Sequence, residues 1–96
     1  MKTIPVLVTT EYRGVFFGWL QEAVYDERPT VVELKDARNV IYWSSETKGF
    51  LGLTSTGPMG DSRIGAVAGG PITVHKVTSI TKCSPAAAEK FQSWKS

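Results

Sequence analysis

With one cysteine and one histidine in 96 residues, and no block of like charge, the chain lacks the usual marks of a metal, disulfide or nucleic-acid protein. Cys83 has no partner for an internal disulfide and cannot build a zinc site alone. A reducing compartment is the simplest fit, and no cofactor is implied. Eleven basic and nine acidic residues are scattered along the chain for a net charge of +2, without the basic run that phosphate-dominated binding requires. Generic nucleic-acid binding is therefore disfavoured. No stretch approaches the roughly 18 apolar residues of a membrane span, and the apolar run at residues 4–8 is too short for a signal peptide. The expectation is a soluble protein of the cytoplasm with no membrane partner.

Catalytic patterns are equally sparse. His75 lies between Val74 and Lys76 with no nucleophile near it in sequence, and neither a G-x-S-x-G elbow nor an H-x-x-x-H pair occurs. Residues 52–57 have the G-x-x-x-x-G frame of a phosphate loop, but Pro58 and Met59 stand where Lys and Ser or Thr are needed. The expected protein is not an enzyme.

What the chain has in excess is glycine, concentrated in one place. Seven of its nine glycines fall at positions 49–70, in a stretch that also carries Ser44, Ser45, Thr47, Thr54, Ser55, Thr56 and Ser62. So long an irregular segment in so short a chain is either disordered or functional. Phe50, Leu51, Leu53 and Ile64 supply apolar anchors that a linker would not need.

Around this segment the pattern is β. Residues 4–10 and 14–22 read as strands joined by a turn at 11–13, with Val15, Phe17 and Trp19 on one face of the second strand and Phe16, Gly18 and Leu20 on the other. Apolar residues on both faces mean cover on both sides, and Gly18 suggests a bulge or bend. Residues 25–29 form a polar connection, 30–35 a strand, 36–39 a tight turn, 40–43 a strand, and 72–77 with 79–82 the closing strands. Ser84 and Pro85 open a C-terminal helix at about 85–94, with Ala87, Phe91 and Trp94 on one apolar stripe. The expected fold is a single mainly β domain over residues 1–96. It is a small, strongly bent antiparallel barrel of SH3 or Sm-like type, with an insertion at about 44–70 and a short C-terminal helix. A chain of 96 residues buries only roughly 60 to 65% of its unfolded surface, so self-association into a homo-oligomer is a natural supplement to its stability.

The candidate site is the glycine-rich segment. Backbone N–H groups in its turns, with the hydroxyls of Thr54, Ser55 and Thr56, suit an anion. Lys48 and Arg63 flank them, and Tyr42, Trp43 and Phe50 offer an aromatic wall. Together these residues describe a pocket for a nucleotide-like small molecule. The competing reading makes Trp43 and Phe50 core residues and assigns the hydroxyls to loop backbone.

The pattern Val6-Leu7-Val8, Arg13-Gly14-Val15-Phe16-Phe17-Gly18-Trp19-Leu20 and Val32-Glu33-Leu34-Lys35-Asp36-Ala37 looks like the first half of an Sm-like domain. Where that family places an Asp and an Asn to hold a uridine, this chain has Tyr25-Asp26-Glu27-Arg28-Pro29-Thr30, and its closing strands lack the family's Arg-Gly pair. The likeness implies a barrel but not RNA binding. The runs Leu34-Lys35-Asp36-Ala37-Arg38, Ile41-Tyr42-Trp43-Ser44-Ser45-Glu46-Thr47-Lys48-Gly49-Phe50-Leu51-Gly52-Leu53 and Arg63-Ile64-Gly65 resemble a family of small uncharacterised proteins encoded by bacteriophages and prophages. That resemblance implies a viral product in a bacterial cytoplasm. The function expected is stoichiometric binding, of an anionic nucleotide-like ligand or of a host protein, in evasion of host defence. The alternatives are a virion or assembly component and an Sm-like nucleic-acid binder.

Overall fold

Val6, Leu7 and Val8 are buried in succession, so the first strand is covered on both faces. Those three residues divide the molecule into two cores. In the computed structural model, which describes residues 2–11 and 14–95, Leu7 joins Val15, Phe17, Leu53, Ala87 and Phe91 on one side. Val6 and Val8 join Ile4, Leu20, Val32, Leu34 and Val74 on the other.

The elements are β1 (Thr3–Thr10), β2 (Val15–Gln21), α1 (Glu22–Asp26), β3 (Val32–Tyr42), a 3-10 turn (Ser45–Thr47), α2 (Gly49–Ser55), β4 (Arg63–Ile64), β5 (Ile72–Val74), β6 (Val77–Lys82) and α3 (Pro85–Ser93). The six strands form an antiparallel sheet in the order β4-β3-β2-β1-β6, with β5 paired to β3 as well. The mainly β architecture and the C-terminal helix match the sequence reading. The sheet is not closed into a barrel. One backbone bond, from Val77 N–H to the Thr30 carbonyl at 2.9 Å, ties the start of β6 to the residues before β3.

Two strands and a turn were expected over residues 30–43, and a single 11-residue strand is found. The turn signal is real but marks a bulge. Phe17 pairs with Arg38 and Trp19 with Lys35, so β3 carries an extra residue there, and Asp36 takes the left-handed conformation at φ 49°. Gly18 faces the irregularity, where a Cβ would lie 2.9 Å from that of Leu34. A larger residue would push β3 off β2. The connection expected at 25–29 begins as helix α1, and of the expected turn at 11–13 only Glu11 lies within the described residues.

Helix α3 starts as its sequence dictates. The Ser84 hydroxyl accepts the Ala87 N–H at 3.1 Å and Pro85 occupies the first turn, where no N–H is needed. Ala87 and Phe91 are fully buried, and Phe91 stacks on Phe17 with ring centroids 4.5 Å apart and planes 12° apart. Fully burying a side chain of that size contributes roughly 1.5 to 3 kcal/mol, which outweighs the about 0.5 to 1.5 kcal/mol of the ring pair itself. Burial of its apolar face is what docks α3.

Candidate functional site

Through residue 64 the glycine-rich segment is ordered, with a 3-10 turn, helix α2 and strand β4 joined by turns at 56–62. Its backbone is held by three buried hydroxyls. Ser44 Oγ donates to the Met59 carbonyl at 2.7 Å, and Ser62 Oγ donates to the same carbonyl at 2.6 Å while accepting the Ser44 N–H at 3.1 Å. Thr47 Oγ1 accepts the Met59 N–H at 3.2 Å. Buried polar groups satisfied by one another specify a single conformation, because each lost bond leaves a buried orphan. Helix α2 then packs so closely on the preceding turn that a Cβ at Gly52 would overlap the Thr47 carbonyl oxygen. That contact explains a helix where two glycines argue against one.

The seven residues expected to bind a ligand fall into three groups. Trp43 and Phe50 are half-buried against the core that contains Phe17 and Phe91. Thr54 is buried and donates to the Leu51 carbonyl at 2.7 Å, whereas Ser55 and Thr56 donate to the Gly52 carbonyl at 3.3 and 3.0 Å. These hydroxyl donors are spent on their own helix. Lys48 and Arg63 are exposed, Lys48 at the left-handed junction (φ 63°) between the 3-10 turn and α2, and Arg63 on β4 opposite Tyr42. Three clefts of the described surface are lined by other residues, and none of the seven contributes to them.

Arg38 and Cys83 take places in the fold that the sequence reading did not assign them. Arg38 is buried within β3 and its guanidinium donates to the carbonyls of Gly65 at 2.6 Å, Phe91 at 2.6 Å and Trp94 at 2.7 Å. Phe91 and Trp94 sit at the C-terminal end of α3, where the helix dipole favours a cation. Burial lowers the Arg38 pKa from its ordinary value, and the carbonyls compensate the charge. The other residue is Cys83, buried, with its thiol pushed up to about 12 by desolvation. A thiol so rarely ionised is a poor nucleophile.

The opposite face of the sheet carries a cleft of about 530 Å³, between the residue 25–30 segment and β6. Tyr25, Asp26, Arg28, Pro29 and Thr30 form one wall and residues 77–80 the other. The walls meet at their ends only, through the Val77–Thr30 bond and through Lys82, whose Nζ lies 5.2 Å from the Tyr25 ring centroid. Between those ends the cleft lies open.

A family model for a domain of unknown function, DUF6948, matches residues 3–91. The chain belongs to the DUF6948 family. The DUF6948 match runs from the first residue of β1 to Phe91, so the folded glycine-rich segment and the β6 cleft both lie within the family domain. Neither the curated proteins nor the solved structures give a match. Among the described residues no helix of this DUF6948 protein is long and apolar enough to cross a membrane, and no cluster of three or more His, Cys, Asp or Glu is placed to hold a metal.

Proposed function

We propose that this DUF6948 protein is a non-catalytic accessory protein of bacteriophage origin that works in the host cytoplasm by stoichiometric binding of another protein. The observation that carries this reading is the exposure of Ile41, Tyr42 and Leu51 at 61, 49 and 71% on a segment whose backbone is locked from within. Large apolar side chains held rigidly in water lose little further freedom on being covered, which favours a protein contact. Lys48 and Arg63 add charge beside them for orientation. The groups best suited to chemistry are committed to structure: Arg38 to carbonyls, Cys83 to the core, and the Thr54, Ser55 and Thr56 hydroxyls to α2.

Native mass spectrometry of the chain recovered from a bacterial cytoplasm tests the reading. A complex of integer stoichiometry is expected, and the paired change Tyr42→Ala and Leu51→Asp dissolves it while leaving stability within about 0.5 kcal/mol per site. Only free chain, or a complex indifferent to both changes, contradicts the proposal. Retention of a small anion that is lost with Lys48→Ala and Arg63→Ala would instead favour the nucleotide-like ligand, and a multiple of the chain's own mass would make the partner a second copy.

A further inference from the structure

We infer that the cleft beside β6 is a docking slot for one extended peptide segment of a partner protein, taken up by strand addition. This goes beyond the reading above, since the slot belongs to the opposite face of the sheet.

The register decides which backbone groups are free. Cys83 N–H donates to the Pro5 carbonyl at 2.9 Å, which makes Pro5 and Cys83 a hydrogen-bonded pair. Such pairs alternate along an antiparallel ladder. Leu7 with Thr81 and Thr9 with Ser79 are then bonded to each other, whereas Ile80 and Lys82 turn their N–H and C=O away from β1. Val77, past the irregularity at Thr9 and Thr10, also faces outward and spends its N–H on Thr30. The groups of Ile80 face the cleft without a backbone partner among the described residues. An unpaired edge of this kind is a template for another strand.

The dimensions select the occupant. The cleft runs along four residues of β6, Val77 to Ile80, roughly 13 Å, enough for an incoming segment of about four residues. A second copy offering its own β6 would bring with it the 25–30 wall that flanks that strand. A lone extended segment carries no such wall. Along the rim Arg28 and Lys82 face a single carboxylate, Asp26, so the favoured segment bears an acidic residue. Val77 and Ile80, half-buried in the cleft wall, offer an apolar floor for a β-branched residue beside it.

Panning a random heptapeptide phage-display library on the immobilised full chain, with counter-selection on Lys82→Pro, tests the inference. Lys82→Pro removes an outward N–H at an edge position where proline is tolerated. The expected yield is a set of peptides alternating β-branched with polar residues and carrying Asp or Glu. Their amide-shift perturbations should be confined to residues 25–30 and 77–82, and Arg28→Glu should weaken them at least tenfold with the spectrum otherwise preserved. No enrichment over Lys82→Pro, or shifts centred on residues 41–63, overturns the slot. If panning fails while the native complex still depends on Tyr42 and Leu51, the slot falls and the proposed function stands.

Discussion

The two faces of the sheet are closed by different means. On one face α2 and α3 cover Phe17, and the cover is fastened by directed polar bonds: Arg38 to the end of α3, Ser84 Oγ to the Ser55 carbonyl at 2.6 Å, and Trp94 Nε1 to the Ser62 carbonyl at 3.0 Å. On the other face the sheet curls over Ile4, Val6, Val8 and Leu34; β5 pairs with β3 across it, but β6 meets the 25–30 segment at one backbone bond and one cation–π contact. Hydrophobic burial holds both faces, but only the first is locked in a particular arrangement. The lesson is that directional bonds decide which face is finished and which is left with an edge to share.

Removing the lock should have the largest effect. Arg38→Met keeps much of the buried volume but strands the carbonyls of Gly65, Phe91 and Trp94, and should cost at least about 3 kcal/mol in urea unfolding. A loss below 1 kcal/mol would mean that apolar contact alone docks α3. Next comes a pair of adjacent prolines in β6. Thr81→Pro deletes a bond to β1 and should cost about 3 kcal/mol, whereas Lys82→Pro, whose N–H points away from β1, should cost under about 1 kcal/mol. Equal costs would show that both edges of β6 are in use.

The last effect is a pH dependence seated in the locked core, silent at neutral pH. The folded Cys83 thiol ionises near 12 against 9.0 unperturbed, so its contribution is fully present below pH 9 and is lost as pH rises through about 12. Stability should fall by up to about 1.4 kcal/mol per pH unit above 9 from this group alone. Cys83→Ala removes that slope, so the difference between the two unfolding series measures it.

Most of the frame was legible in the sequence because it is written in short-range patterns. The two-sided apolar character of β2, the Ser84-Pro85 start of α3 and its Ala87, Phe91, Trp94 stripe each follow from local spacing. The turn at 36–39 was half read: the left-handed residue is Asp36, but long pairing with β2, β4 and β5 carries the strand through it as a bulge. Helix α2 was hidden because its stability comes from Gly52 against Thr47 and from Leu53 in the core, neither of which helix propensity records. Barrel closure was not legible for a related reason, since it depends on whether distant edges meet. Of the candidate site, the location of an ordered segment was readable. The commitment of its hydroxyls to α2 was not, because donors and acceptors become assigned only in three dimensions.

Native-state amide exchange on the free chain tests the contrast between the faces most directly. The account predicts near-global protection for the bonded amides of Ser44, Met59 and Cys83, slow exchange at Ser79 and Thr81, and rapid exchange at Ile80 and Lys82. Uniform protection along β6, or loop-like exchange throughout residues 44–62, would contradict it.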